Sequence, residues 1–365
     1  MQHPSQLLSE DDIRLIRSYS LSAEEQGALT PAQLQLIYDH KWFKVMVPEY
    51  VGGRELSLPE AMRLLEAAAW ADGSFGWALN LGAGANMFAA FLPAEIAKKM
   101  FSHSEIYIAG SGALSGKAEK IDGGYIVDGT WKYASGASHS SFFSVSCIIT
   151  QNGEPTKDKK GGFETRSFII PKHQVIISRL WNSYGLKATA SHDFKVEDVL
   201  VPDDLSFSLA EPSMFADGPL YKFPFVQLAE ALLAVTMSGM ACHFIDLFEV
   251  LVKEKLQSDP NRKKDYPLAE KAISNSNVAL TNARTGLYRS VEESWLWYEK
   301  GETPSDAELN QITITAKQCA FIARTEVENL YPWAGMDAII PETDLNRVWR
   351  DIHTASQHIL LSSSL

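Results

Sequence analysis

The sequence predicts an α+β multi-domain protein with a helical N-terminal domain, a central antiparallel β-barrel or sandwich, and a C-terminal four-helix bundle. Three changes of pattern predict this order. Apolar residues recur with a helical period through residues 1–103, with the period of a strand through 104–212, and again with a helical period through 213–365. Because the period of apolar residues follows the backbone geometry, these three ranges are the predicted domains.

Helix-start signals justify the first domain. Each consists of a serine or threonine whose hydroxyl caps open backbone amides, followed by an acidic residue or a proline. They are Ser9 before an acidic run, Ser22 with Glu25, Thr30 with Pro31, and Ser57 with Glu60. The last signal predicts a helix over Leu58–Ala71, with a core-facing apolar stripe, that ends at Asp72.

The middle range consists of short segments rich in β-branched and aromatic residues, separated by Gly-Gly or Asp-Gly turns. The predicted strands are 105–109, 117–121, 125–128, 130–134, 142–150, 166–171, 175–179, 192–196 and 199–202. So many short strands in roughly 100 residues are typical of a compact antiparallel barrel or sandwich.

The last range contains four long amphipathic segments with short links, the pattern of an antiparallel bundle. They are 225–256, 267–300, 305–331 and 341–363, and Ser305 with Glu308 forms another capping signal. The final segment also carries the most suggestive polar residues of the chain. Helical spacing places Asp351 and His358 on one face, two turns apart, and leaves Glu342 at the entrance of the predicted helix.

Composition excludes several classes of function. The formal net charge is −12, which argues against a nucleic-acid partner, because phosphate neutralisation needs clustered Lys and Arg. The three cysteines are far apart, predict neither a metal site nor a disulfide framework, and suit a reducing cytoplasm. The first residues lack the pattern of a signal peptide. The most apolar segment, 225–252, carries four ionisable residues and is predicted as a buried helix, not a membrane span.

Several strings, in this order, resemble motifs of the acyl-CoA dehydrogenase superfamily of flavoproteins. They are the VPEYVGG turn at 47–53, GYIVDGTWKYASG at 124–136, GLKATASHD at 185–193, VEDVLVP at 196–202, and the Arg350-Asp351 pair. The matches extend through almost the whole chain. The resemblance implies the acyl-CoA dehydrogenase-like arrangement of helices, β domain and bundle, and a flavin cofactor, FAD or FMN.

Within this superfamily, three strings are similar to the flavin-dependent monooxygenase branch. They are WKYASGASH at 131–139, GLKATASHD at 185–193 and WRDIHTASQH at 349–358. In place of the Glu-Gly-Thr flavin contact of the dehydrogenases, the chain has Gln357-His358-Ile359. Resemblance to this branch implies a homotetramer that receives reduced flavin from a separate reductase, forms a flavin hydroperoxide with oxygen, and hydroxylates a small organic substrate.

The resemblance also implies a set of cofactor-binding residues. Ser135, in a segment with Trp131 and Gly136, matches the hydroxyl that hydrogen-bonds the central ring nitrogen of the flavin, and a hydroxyl can either donate or accept there. Gly110 and Ser111 match the loop whose backbone amides approach the ring. Arg262 matches a region that reaches a flavin phosphate across a subunit interface; a solvated basic loop is the alternative.

Two residues compete for the catalytic role. His358 matches the histidine of the monooxygenase branch, since an imidazole can donate or accept a proton near neutral pH; its alternative is a helix-terminal histidine that offsets the dipole. Glu342 precedes Arg350 by eight residues, the position of the base in many acyl-CoA dehydrogenases. A desolvated carboxylate there could abstract an α-proton from an acyl thioester.

Two residues are candidates for substrate contact. His139 follows the flavin-side strand and either faces the cavity or lies in an exposed loop. Asn86 aligns with a histidine that activates the phenolate in phenol hydroxylases of the branch, so its presence argues against a simple phenol hydroxylase. The functions under consideration are therefore a monooxygenase, a true acyl-CoA dehydrogenase, and a binding or scaffold protein that retains only the fold.

Overall fold

A computed structural model describes residues 1–211, 213–259 and 266–362. The chain has an α+β architecture in which one mixed sheet lies in sequence between an N-terminal helical region and a C-terminal helical region. The N-terminal helices are α1 (Glu10–Ser18), α2 (Ser20–Gln26), α3 (Pro31–Asp39), α4 (Leu58–Ala71), α5 (Gly73–Asn86) and α6 (Ala94–Met100). Short 3-10 segments connect several of them.

The capping signals place most of these helix starts correctly. Ser9 and Thr30 accept hydrogen bonds from backbone amides at the starts of α1 and α3, and Ser57 with Glu60 forms a complete capping box on α4. The start predicted at Ser22 is wrong. Ser22 lies inside α2, where its hydroxyl donates to the Tyr19 carbonyl instead of capping an amide.

The sheet has eight strands, which are β1 (Ile108–Ile121), β2 (Gly124–Ala134), β3 (Phe142–Gln151), β4 (Glu154–Pro155), β5 (Thr165–Pro171), β6 (Ile176–Ser178), β7 (His192–Pro202) and β8 (Ser206–Phe207). Their order is β6-β7-β2-β1-β3-β5-β8, with β4 paired to β3. The expectation of an all-antiparallel domain is wrong, because β1 and β3 pair in parallel. Among the described residues the two ends of this order, β6 and β8, do not pair, so the sheet is open and not a closed barrel.

The parallel pair arises from the path of the chain. β2 returns along one edge of β1 as a hairpin, and residues 135–141 then cross over to start β3 on the other edge. The β1–β3 register shifts between Ser111 and Gly116, so residues 112–115 are displaced from the ladder and exposed. This bulge merges two predicted strands into the single β1.

The C-terminal region contains α7 (Pro219–Lys222), three long helices, α8 (Phe225–Ser258), α9 (Tyr266–Glu299) and α10 (Asp306–Ala334), and the short α11 (Asp344–Ala355). The long helices pack against one another, and α8 also packs against α4 and α11. The four-helix bundle predicted from the sequence is therefore not present with four long members. Helix α8 is long and apolar enough to cross a membrane, but its most apolar window is 89% buried within the fold.

The last helix is much shorter than predicted. Gly335, at φ +65°, ends α10, and the Thr343 hydroxyl accepts from the Asn346 amide to start α11 three residues after Pro341. After Ala355 the chain turns, and the His358 amide donates to the Ala355 carbonyl. Glu342 and His358 consequently lie outside the helix, on opposite sides of it in the sequence.

Buried ion pairs join the N-terminal and C-terminal regions. Arg284 of α9 donates from Nε and from a terminal nitrogen to the Glu66 carboxylate of α4, at 2.7 and 2.8 Å, and both side chains are almost fully buried. Arg350 of α11 pairs with Glu24 of α2 at 2.7 Å and donates to the Tyr184 carbonyl. These contacts fix α11 against the β6–β7 connection, where the candidate site is built.

Candidate active site

Three hydroxyls form a buried chain that ends at Ser135. The Thr189 hydroxyl donates to the Leu186 carbonyl at 2.8 Å and contacts the Ser191 hydroxyl at 2.7 Å. Ser191 in turn contacts the Ser135 hydroxyl at 2.8 Å. The Gly136 amide donates to the Thr189 carbonyl at 2.7 Å, which joins the loop after β2 to the loop before β7. Ser135 and Gly136 therefore belong to a network that includes two residues the sequence did not single out, Thr189 and Ser191.

The loop of residues 185–191 has an uncommon backbone. Leu186 and Ala190 have φ of +53° and +47°, in the left-handed region that side chains disfavour. Gly185 lies so close to α11 that a Cβ there would be 2.0 Å from the Arg350 carbonyl oxygen. Contacts with α11 hold this shape, because the Gly185 amide donates to the Thr354 hydroxyl at 2.9 Å and the Leu186 amide donates to the Asp351 carboxylate at 2.5 Å.

Asp351 is a buried carboxyl at the junction of three regions. Its second oxygen contacts the Ser74 hydroxyl at 3.4 Å, and Asp72 and Arg347 lie close enough to affect its ionisation. Burial, and then the neighbouring Asp72 carboxylate, raise the pKa of Asp351 to about 7, while the Leu186 amide and Arg347 act in the opposite direction. This group links the start of α5 to the loop that carries Thr189 and Ser191.

Gly110 and Ser111 begin the bulge of β1, and both are partly exposed. A Cβ at Gly110 would lie 2.4 Å from the Ser144 carbonyl oxygen, so this position needs glycine for close strand packing. Trp131 is fully buried, with 0% exposure, stacked on Phe194 and donating from its indole to the Ala113 carbonyl. The expectation that Trp131 contacts the cofactor is therefore wrong in this chain, because the fold covers the whole indole.

His358 is held against α5. Its ring lies 5.9 Å from the Trp77 ring, edge to face, and its Nδ1 accepts from the Leu360 amide at 3.3 Å. Acceptance at Nδ1 places the proton of the neutral ring on Nε2. Burial lowers the pKa of His358 to about 4, so the imidazole is neutral at pH 7.

Glu342 has a different environment. It lies in the turn between α10 and α11 and is exposed, as are Pro341 and Ile340 before it. A catalytic base of the dehydrogenase type depends on a carboxylate desolvated beside its substrate. Among the described residues nothing shields the Glu342 carboxylate from water, because its turn lies at the surface just before Thr343, the N-cap of α11.

His139 and Asn86 are both interior residues. The His139 ring packs against Tyr107 and Phe43 at 4.6 and 6.2 Å, and among the described residues neither of its buried nitrogens has a hydrogen-bond partner. Burial lowers the pKa of His139 to about 4.

The side-chain amide of Asn86 is hydrogen-bonded to three backbone groups. It donates to the carbonyls of Phe43 and Ile106 and accepts from the Ile108 amide, at 3.0 to 3.1 Å. The substrate-binding role expected for Asn86 is therefore wrong: its side chain fixes the start of β1 against α5.

The sequence of this chain is similar to one protein-family model and to several characterised monooxygenases. Residues 231–363 match the family model described as acyl-CoA dehydrogenase, C-terminal domain. Indole-3-acetate monooxygenase of Pseudomonas putida is 27% identical over 325 residues, which are 88% of this chain and 81% of that protein. The oxygenase subunit HsaA of a flavin-dependent monooxygenase from Rhodococcus jostii is 25% identical, over 94% of this chain and 91% of its own. The C-terminal third of the chain is therefore similar to the acyl-CoA dehydrogenase C-terminal domain, and the whole chain is similar to these monooxygenases.

The solved structures agree on the fold. The 3-HSA hydroxylase from Rhodococcus sp. RHA1 superimposes with a TM-score of 0.90 at 23% identity, covering 99% of this chain and 93% of that one. The HsaA monooxygenase of M. tuberculosis gives a TM-score of 0.88. The two relatives are named as monooxygenases, and that of Rhodococcus jostii is named as flavin-dependent.

The residues around Ser135 fit a flavin. The side chains of Tyr133 and Leu180 are 65% and 71% exposed, and Tyr133 contacts the Trp181 ring edge to face at 6.1 Å. These groups give the superfamily fold an exposed apolar surface next to the hydroxyl chain, which suits a flat aromatic ring with polar edges. Arg262, expected at a flavin phosphate, lies outside the described residues.

The sequence analysis missed Thr189, Ser191 and Tyr107. The Tyr107 hydroxyl donates to the Ser135 carbonyl at 3.0 Å and also lies 3.2 Å from the Ala78 carbonyl oxygen, so it connects the turn of α5 beside His358 to the Ser135 loop. The GLKATASHD string was noted for its resemblance, and its two hydroxyl residues at alternate positions were the signal available for Thr189 and Ser191.

Proposed function

We propose that this chain is the oxygenase component of a two-component flavin-dependent monooxygenase. It takes reduced flavin from a separate reductase and, with oxygen, hydroxylates a small aromatic substrate. The observation that carries the proposal is the contrast between the neutral, half-buried His358 and the exposed Glu342. The names of relatives, such as indole-3-acetate monooxygenase, support an aromatic substrate.

The cofactor site is formed by the loops after β1 and β2. Gly110 and Ser111 offer backbone at the bulge, and Ser135 and Gly136 lie at the end of the hydroxyl chain. When bound, the flavin supplies the two electrons and the oxygen-activating chemistry. The protein holds it, excludes water and controls protons around it. FAD and FMN both remain candidates.

His358 is the proposed hydrogen-bond donor. Its Nε2 carries the proton in the neutral tautomer fixed by the Leu360 amide, and Trp77 shields one side of the ring from solvent. A neutral hydrogen-bond donor suits a site that must hold polar atoms of the cofactor or of oxygen without placing a full charge in an apolar cavity.

His139 is the proposed substrate contact. Its two buried nitrogens lack partners among the described residues, and buried polar atoms normally have one. A polar group of the substrate would provide the missing partner. Tyr107 links this histidine to Ser135, since it contacts the His139 ring and donates to the Ser135 carbonyl.

The assembly proposed for this enzyme is a cytoplasmic homotetramer. Ile314 and Phe321 are seven residues apart on α10, lie on the same face, and are 48% and 66% exposed, which supports a contact between copies. The three buried, free cysteines support a reducing compartment. Light scattering should give a mass near four times 40.5 kDa; a monomer mass would contradict the assembly.

The function can be tested with chemically reduced FMN or FAD, oxygen and indole-3-acetate as a probe aromatic. The protein should delay the return of the oxidised-flavin absorbance relative to free flavin and form hydroxylated product. His358→Ala should lower product formation about 10²- to 10³-fold, the usual effect of removing one positioned hydrogen-bond donor. Glu342→Gln is the matched control and should leave product formation unchanged.

The alternative function is an acyl-CoA dehydrogenase that uses Glu342 as base. It predicts bleaching of bound oxidised flavin by an acyl-CoA thioester without oxygen, and loss of that bleaching in Glu342→Gln. That result, combined with no delay in the oxidation of reduced flavin, would replace the monooxygenase proposal.

A further inference from the structure

The hydrogen bonds of the hydroxyl chain have a fixed direction. A carbonyl cannot donate, so the single hydroxyl hydrogen of Thr189 is used by the Leu186 oxygen at 2.8 Å. The 2.7 Å contact between Thr189 and Ser191 therefore requires Ser191 to donate. With the Ser191 hydrogen used, the 2.8 Å contact between Ser191 and Ser135 requires Ser135 to donate.

We infer that this chain makes Ser135 a hydrogen-bond acceptor toward the flavin and so selects the reduced cofactor. The inference rests on the proposed function and adds a positioning residue, Thr189, that acts through Ser191. Reduced flavin carries a hydrogen on its central ring nitrogen, and oxidised flavin has only a lone pair there. Because the Ser135 hydrogen is committed to Ser191, its free lone pairs face the cofactor and match the reduced form.

Binding oxidised flavin at Ser135 would require reversal of the whole chain. Ser191 would have to donate to Ser135, and Thr189 to Ser191, so that the Thr189 oxygen would face the Leu186 oxygen at 2.8 Å with no hydrogen between them. That contact must then open. The Leu186 carbonyl cannot move away easily, because it also accepts from the Trp181 indole at 3.0 Å and its own amide is bound to Asp351.

The test compares the dissociation constants of oxidised and anaerobically reduced flavin, FMN and FAD each, by fluorescence quenching or calorimetry. Thr189→Val removes the hydroxyl that sets the direction, so Ser191 can donate to Ser135 and Ser135 can donate to oxidised flavin. We expect the wild type to bind reduced flavin more tightly. In Thr189→Val the ratio of the two constants should fall by about threefold to tenfold, the effect of one buried hydrogen bond. A tenfold change corresponds to about 30 mV in the potential of the bound flavin.

Two further variants separate direction from simple loop damage. Thr354→Val removes a hydroxyl that holds the same loop at Gly185 but lies outside the chain, so it should change both constants alike and leave their ratio intact. Thr189→Ser retains the hydroxyl and should restore the wild-type ratio. An unchanged ratio in Thr189→Val, with flavin still bound, overturns the inference alone. Failure of the wild type to bind flavin in either state overturns the proposed function as well.

Discussion

Replacing Asp351 by Asn should change the pH dependence of stability in a direction set by burial. The carboxyl is 1% exposed, accepts from the Leu186 amide and lies near Asp72 and Arg347. Asn has nearly the same shape and its Oδ1 can still accept from Leu186, so the substitution mainly removes the ability to ionise. The space around Asp351 is tight, since a Cβ at Gly73 would lie only 2.7 Å from its Oδ2. A residue larger than Asn at position 351 would therefore add a steric cost to the measured free energy.

The raised pKa of Asp351 determines whether stability rises or falls with pH. The pKa of Asp351 is about 7 in the folded chain against an ordinary value of 3.8, so the folded state holds a proton that the unfolded state has released between these limits. The stability that this proton provides is complete below pH 3.8 and is lost as pH rises to about 7. The slope is about 1.4 kcal/mol per pH unit in the middle of that window, and ~4 kcal/mol is the upper limit across it.

The assay is denaturant unfolding of wild type and Asp351→Asn at pH 5 and pH 7. The free energy of unfolding of the variant, relative to wild type, should rise by about 2–3 kcal/mol between these values. Groups that both proteins share, including the buried histidines, cancel in this difference. Asp344→Asn is the control, since Asp344 is a half-exposed carboxylate on the same helix and should change the slope much less. A difference that does not vary with pH would refute the reasoning.

Two further substitutions test contacts that the structure assigns to the fold. Glu66→Gln leaves the Arg284 charge buried without its partner, so the free energy of unfolding should fall by about 3–5 kcal/mol in a denaturant titration; a loss below 1 kcal/mol would mean that the pair is not desolvated. Asn86→Ala removes hydrogen bonds to three backbone groups and should lower the melting temperature while leaving KM for the aromatic substrate unchanged, whereas a KM effect without destabilisation would restore its substrate role.

Local signals predicted the order of the secondary structure well, because capping and apolar period depend on residues a few positions apart. The capping boxes at Ser57 and Ser305 start α4 and α10 as expected. The parallel pairing of β1 with β3 and the bulge after Ser111 depend on where the chain crosses the sheet, which periodicity does not encode. The length of α11 was overestimated because residues 356–363 are compatible with a helix, while the structure turns after Ala355.

The candidate site was only partly predictable for a related reason. Ser135 was selected through a resemblance of strings, yet its proposed role depends on a contact with Ser191, which lies 56 residues further along the chain. Trp131 lies in the same string as Ser135, and Asn86 lies on a helix beside the proposed site. Only the structure shows that their polar side-chain atoms are buried and bonded to backbone groups. A motif records which residue types occur together; it does not record which of their atoms remain free.

The same distinction supports His358 over Glu342 as the proposed catalytic residue. On the single long helix that the sequence predicts, Glu342 and His358 would both be polar helical residues, with no difference in backbone to separate them. The observed α11 excludes both and separates them, with Glu342 in the exposed turn before Thr343 and His358 folded back onto Trp77 of α5. The exposed Glu342 carboxylate stays hydrated, whereas the imidazole of His358, packed against an indole, is neutral and keeps its Nε2 proton. The end of α11 at Ala355 therefore determines the environment of His358. If the helix continued for three more residues, the His358 ring would lie on α11, outside the turn in which the Leu360 amide fixes its tautomer.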